Sequence, residues 1–210
     1  MRLEIHDYTK IIKGITILNN VNVSLTSGHI YGFSGRNGSG KTMLFRAITG
    51  LILPTKGDVL LDGKSLIYDD VDLRLFGTLI DNPDFYSNLT GFDNLMLLYQ
   101  INHKFNKPFI MDQLKKVGLD GAEFKKYKTY SLGMRQRLKL IQAMMENQKV
   151  IILDEAFNGI DAQGILDMYE LLKAEKEKGK LILLSSHNEA DLSELCDKVY
   201  FMHQGNLLSD

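Results

Sequence analysis

Gly35-Arg36-Asn37-Gly38-Ser39-Gly40-Lys41-Thr42 fits the pattern G-x-x-x-x-G-K-[ST]. A short apolar run at residues 30–34 precedes it, and residues 43–49 can continue as a helix. Strand, glycine loop and helix in this order leave the surrounding fold little freedom. Gly35, Gly38 and Gly40 let the backbone curl tightly and approach a ligand closely. The loop amides and the positive end of the helix then converge on phosphate oxygens. Lys41 adds a point charge, and Thr42 offers a hydroxyl to Mg²⁺. Residues Gly35 to Lys41, Thr42 and Met43 are therefore the expected phosphate-binding set. The segment commits the chain to a phosphate-rich ligand, a nucleoside triphosphate being the expected one.

The rest of the chain supplies a fold to match. Apolar runs at Val150–Asp154, Leu181–Ser185 and 199–202 read as buried strands. Ile165, Met168, Tyr169 and Leu172 fall at i, i+3, i+4 and i+7, one face of a helix that Gly179 ends. Asn188 with Asp191 reads as a further helix start. Alternating strands and helices predict an α/β fold, a mostly parallel sheet flanked by helices. Residues 1–30 and 57–66 read instead as short strands, with turns at Asn19-Asn20, Ser27-Gly28 and Asp62-Gly63. They predict an antiparallel β subdomain beside the parallel core. Residues 84–147 read as mostly helical, opening at the capped start Thr90 and Asp93, with Leu95, Leu98 and Tyr99 at helical spacing. An inserted α-helical subdomain at 84–147 would split a nucleotide-binding core of 1–83 and 148–210, all within one domain.

Composition narrows the function. The chain has 210 residues, enough for one domain with a good core. Its net charge of −1 gives no reason to expect a nucleic-acid partner. The one cysteine, Cys196, excludes an internal disulfide and suits a reducing compartment. No stretch approaches the roughly 18–20 continuous apolar residues of a membrane span. Glu4, His6 and Asp7 interrupt any leader-like pattern early. Association with a membrane is thus expected only through a partner.

Val150 to Glu155 is four apolar residues followed by two acids. A buried strand delivers such acids at its carboxyl end, where α/β proteins bind ligands. Asp154 is placed to hold Mg²⁺, and Glu155 to orient or deprotonate an attacking water. Ser131-Leu-Gly-Met-Arg-Gln-Arg137 then chooses among phosphate-loop enzymes. Ser131 can cap a helix whose amides would bind a γ-phosphate. With Tyr130 in front, the segment resembles the signature loop of ATP-binding cassette (ABC) proteins, usually Leu-Ser-Gly-Gly-Gln. Ser131 and Gly133 match; Tyr130, Leu132 and Met134 depart.

The resemblance spans nearly the whole chain and implies a P-loop NTPase fold. It implies ATP and Mg²⁺ as ligands, and a head-to-tail pair of ATPase domains, either two copies or a copy with a paralogue. Each ATP would lie between one subunit's phosphate loop and the other's signature loop, so Ser131 and Gly133 would serve the partner's nucleotide. His187, after Leu184-Ser-Ser, matches the switch histidine at the γ-phosphate; His6, His29, His103 and His203 match nothing of the kind. Asp161, in Gly159-Ile-Asp161, matches the loop that communicates between the two sites. The chain ends shortly after its last expected core strand, leaving no room for the C-terminal extension of some relatives.

Two departures concern the chemistry. Asp81, in Leu79-Ile-Asp81-Asn-Pro83, occupies the position of a glutamine that contacts Mg²⁺ and water. The surrounding segment, Gly77 to Thr90, resembles ATPases of bacitracin- and lantibiotic-resistance exporters, which carry a glutamate there. Asp81 is accordingly expected to sense Mg²⁺ and couple to a membrane partner. Ile12, in Lys10-Ile-Ile-Lys13, occupies the position of an aromatic ring that stacks on adenine. Modest ATP affinity and weak selectivity against GTP are expected. Ala156 stands where a proline often follows the catalytic glutamate. The resemblance thus implies the ATPase subunit of a bacterial exporter of peptide antibiotics or amphiphilic compounds, working on the cytoplasmic face of the membrane with a separate multi-span permease. A soluble ABC ATPase or nucleotide-dependent switch is the alternative. A small phosphate-loop kinase is disfavoured by the signature loop, Asp161 and His187 together.

Overall fold

The structure, a computed structural model, describes residues 1–81 and 83–208. Strands β1 (Arg2–Ile12) and β2 (Ile15–Thr26) form an antiparallel hairpin. Its turn is Lys13-Gly14, with φ of 49° and 79°. Two left-handed residues are what a primed two-residue hairpin requires. The turn expected at Asn19-Asn20 is not there: both residues lie inside β2. Asn20, at φ 48°, sits opposite an irregular stretch of β1 that contains Asp7, also at φ 48°. Asparagine tolerates the left-handed region in bulges as it does in turns, so its presence alone did not separate the two.

After the expected turn at Ser27-Gly28, β3 (His29–Ser34) leads into helix α1 (Lys41–Ile48). Strands β4 (Lys56–Leu61) and β5 (Lys64–Ser65), joined through Asp62-Gly63, complete an antiparallel sheet of order β2-β1-β4-β5. β6 (Phe76–Leu79) follows, a strand that periodicity did not reveal. Gly77 at its centre weakens any strand pattern, yet a Cβ there would collide with the Ala143 carbonyl.

Helices α2 (Gly91–Tyr99), α3 (Lys107–Lys116) and α4 (Leu132–Gln142) come next. α2 opens with a reciprocal box between Thr90 and Asp93, as expected. The chain then alternates through β7 (Val150–Asp154), α5 (Ala162–Glu177), β8 (Leu181–Ser185), α6 (Glu189–Leu195) and β9 (Lys198–His203). It ends in β10 (Asn206–Leu208), a short antiparallel edge strand not foreseen. The second sheet has the order β10-β9-β3-β8-β7-β6. All its pairings except β10 with β9 are parallel. This is an α/β fold with an antiparallel sheet beside a mostly parallel one.

Continuous apolar runs are explained by burial on both faces. Val150 and Ile152 of β7 face a core with Phe33, Leu44 and Phe45. Ile151 and Leu153 face another with Leu138, Met168 and Leu172. Each such side chain contributes about 1.5–3 kcal/mol by burial. The parallel register pairs Asp154 with Ser185 and Ser185 with Phe33. The loop after β3, the acids ending β7 and the loop after β8 therefore emerge at one edge.

Candidate nucleotide site

The loop from Gly35 to Gly40 turns with φ of 147°, 79° and 110° at its three glycines. At Gly35 a side chain is excluded twice over, because a Cβ would strike the Met202 carbonyl. Lys41, buried at the start of α1, folds its ammonium back onto the carbonyls of Gly35 (2.6 Å) and Arg36 (3.4 Å). Thr42 Oγ1 donates to Asp154 Oδ2 at 2.5 Å. Ser185 Oγ donates to Oδ1 of the same carboxylate at 2.5 Å. A hydroxyl beside a carboxylate is a hard-oxygen donor pair of the kind Mg²⁺ takes.

Glu155 follows in an unusual conformation, φ 53°. A non-glycine residue there carries about 1–2 kcal/mol of strain, so its surroundings must hold it. Its amide donates to the Ser185 carbonyl (3.2 Å) and Oγ (3.1 Å), and its carbonyl accepts from Gln136 Nε2 (3.4 Å). The kink turns the side chain towards His187, whose Nε2 lies 3.0 Å from Oε1. That approach is close but not aligned as a hydrogen bond. Oε1 is buried with no hydrogen-bond donor among the described residues. Burial raises the pKa of Glu155; His187 and Lys41 oppose the rise, while Asp154 adds to it. A half-buried carboxylate with one free oxygen beside an imidazole is equipped to take a proton from water.

These groups line one cavity of about 190 Å³, bounded by residues 37–43, Asp154, Glu155, His187 and Ile17. Three expected site residues stand apart from it. Ser131 caps α4, accepting from the Met134 amide at 3.2 Å, and is exposed. Gly133 packs close to the Gly159 carbonyl, beside Leu132, which is 66% exposed. Asp161 pairs with Arg137 at 2.8 Å on the same surface. These form a second cluster along α4 and the start of α5.

Two others lie elsewhere again. Ile12 sits at the tip of the β1–β2 hairpin, half exposed, and it is Ile17 that reaches the cavity wall. Asp81, at φ 60°, is not in the cavity with Thr42 and Asp154. Its carboxylate is held by Arg46 of α1, at 2.7 Å from Nε and 2.6 Å from Nη2. It borders a cleft of about 360 Å³ walled by Leu51, Ile80, Pro83, Phe85, Tyr86 and Leu97. This roomier cleft contains none of the phosphate-loop residues and neither Glu155 nor His187. Ser185 and Gln136 were missed by sequence reasoning. The register of β8 against β7 would have revealed Ser185; Gln136 stands in the signature-like segment 131–137, but nothing in that spacing points to its bond with Glu155.

Residues 18–158 match the ABC transporter family. An uncharacterised ABC transporter ATP-binding protein of Bacillus subtilis (strain 168) is 38% identical over 205 residues, covering 98% of this chain and 94% of that one. The bacitracin transport ATP-binding protein of Enterococcus faecalis is 36% identical, covering 99% of this chain and 68% of that one. The dimeric structure of a bacterial ABC transporter cassette superposes with a TM-score of 0.89 at 22% identity, covering 99% of this chain and 97% of that one. At that identity the superposition speaks for the fold.

Proposed function

This chain belongs to the ABC transporter family, and from that premise we propose that it is the ATP-hydrolysing subunit of a bacterial exporter. The observation that carries the reading is the convergence in one cavity of Lys41, the Thr42–Asp154 pair, Glu155 and His187. Gly35 to Met43 hold the phosphates through loop amides, and Lys41 leaves its loop carbonyls to meet them. The donor set fits Mg²⁺: Thr42 and Asp154 would hold it, and it would supply neutralisation of phosphate charge. Glu155 accepts a proton from the water that attacks the γ-phosphorus. The bond to the bridging oxygen breaks, giving ADP and phosphate. His187, beside Glu155, contacts the γ-phosphate.

Ser131, Gly133 and Asp161 lie away from this cavity, which supports their service to the nucleotide of a second subunit, a copy or a paralogue. Two such subunits close head to tail on ATP and part after hydrolysis. A separate multi-span permease receives that motion. The cleft beside Asp81, ringed by exposed Leu51, Tyr86 and Leu97, supports its docking there. Among the described residues no helix is long and apolar enough to cross a membrane. We place the subunit on the cytoplasmic face of the membrane, held through that partner. The likeness to a bacitracin transport protein supports peptide antibiotics or related amphiphiles as cargo.

The test is Glu155→Gln in the full chain. It binds ATP, fails to hydrolyse it and elutes as a dimer with ATP and Mg²⁺. Hydrolysis at the wild-type rate refutes the assignment of the base. The transport reading is tested by a mild-detergent pull-down of the tagged chain from its native cells. Recovery of a multi-span membrane protein supports it; recovery of ribosomes, DNA-associated proteins or nothing favours a soluble ATPase or switch.

A further inference from the structure

Asp191 is a carboxylate only 3% exposed, in the first turn of α6 and outside the reaction just described. Three neutral donors reach it. Ser186 Oγ donates to Oδ2 at 2.5 Å; Tyr169 OH and Asn188 Nδ2 donate to Oδ1 at 2.5 and 3.1 Å. Ser186 and Asn188 are the residues on either side of His187. They are also tied to each other, the Asn188 amide donating to Ser186 Oγ at 3.1 Å. The backbone flanking the imidazole is thus anchored at both ends to one buried group. Among the described residues, Glu155 is the one side chain within ion-pair or hydrogen-bond distance of the His187 ring. Its aim therefore depends on this backbone.

The network also reaches the other side of the reacting centre. Tyr169 of α5 packs edge-on against Phe157, with ring centroids 5.4 Å apart. Phe157 lies two residues beyond Glu155. Burial and the Asp191 carboxylate push the Tyr169 hydroxyl well above its ordinary pKa, so it remains a donor throughout the physiological range. Among the described residues the side chains that donate to this buried carboxyl are neutral, and burying a carboxyl is a costly way to fill space, because an apolar side chain would do so without desolvation. What an apolar side chain would not supply is a simultaneous hold on Ser186, Asn188 and Tyr169.

We propose that Asp191 is a positioning residue for hydrolysis, fixing the loop 186–188 so that His187 meets Glu155, with Tyr169 linking that loop to the segment after Glu155. The proposal rests on the roles given above to Glu155 and His187. Asp191→Asn keeps the volume but turns one acceptor into a donor. In the full chain, kcat for ATP is expected to fall about tenfold at unchanged KM, because sub-ångström misplacement of a reacting group is enough for such a loss. In a His187→Ala background the same substitution is expected to cost less than about twofold, since residues that act through one another are not additive.

An equal fold-loss in both backgrounds, or a KM that rises as kcat falls, overturns the positioning role. Wild-type turnover in His187→Ala alone overturns the reading of His187 and this proposal with it, which separates the two failures. Tyr169→Phe removes one donor and keeps the ring on Phe157, so it serves if Asp191→Asn does not fold. It should show the same kcat-only loss, smaller in size, and wild-type turnover in that variant also overturns the proposal.

Discussion

Glu155 is pulled in two directions. Desolvation raises its pKa, while His187 and Lys41 favour its charge. The net shift is upward, so the folded protein holds this proton more tightly than the unfolded chain does. Stability from that source is present below the ordinary carboxylate range and is lost as pH rises through the folded pKa. Above the folded pKa the ionised side chain therefore costs stability in the nucleotide-free protein. The melting temperature of Glu155→Gln relative to wild type should rise as pH rises above the ordinary carboxylate range and fall as pH drops below it; a melting series showing no pH-dependent gap contradicts this account. The same substitution should lower hydrolysis by about 10²–10⁴-fold, the usual contribution of a general base. Ile12 bears on nucleotide selectivity. Stacking on a base is worth about 1–3 kcal/mol, so Ile12→Tyr should tighten ATP binding about fivefold or more and raise its preference over GTP. Strong ATP preference in the wild-type chain, measured by competition titration, counts against the expectation.

Ser131 and Thr90 make the same local bond, a side-chain oxygen accepting from an amide three residues on. Removing either cap should cost about 1 kcal/mol of stability. Their consequences for activity should differ. Ser131→Ala is expected to reduce ATP-driven dimerisation and turnover while leaving nucleotide binding to the single subunit intact. Thr90→Ala should lower the melting temperature and leave turnover near wild type. Calorimetry and ATPase assays on the pair decide it, and equal turnover losses would make Ser131 an ordinary cap. Both starts were legible in the sequence because capping is local chemistry within four residues. β6 and β10 were not legible: each is short, and each is a strand only because a neighbour offers it hydrogen bonds. The Asn19-Asn20 turn failed for a related reason, since the partner strand decides whether a left-handed residue turns the chain or bulges it.

Across the whole molecule, the Arg46–Asp81 pair joins the helix that carries Lys41 and Thr42 to the cleft beside α2. Both side chains are over a third exposed, so the pair adds little to stability, on the order of 1 kcal/mol or less. Asp81→Asn should hardly change the melting temperature. It should instead alter the Mg²⁺ dependence of hydrolysis or its stimulation by a membrane partner; a variant unchanged in ATPase rate and Mg²⁺ dependence ends the idea that Asp81 senses the metal. The phosphate loop, the acids at the end of β7, the helix caps and the alternation that makes a mostly parallel sheet are all written in local runs of residues. These rest on contiguous residues whose spacing is their chemistry. The tertiary structure alone decided that Ser185 shares Asp154 with Thr42, that Glu155 is kinked towards His187, that Asp191 anchors the loop around that histidine, and that Asp81 turns to Arg46. Those contacts join residues far apart in the chain, and their geometry exists only once parallel strands have paired in register.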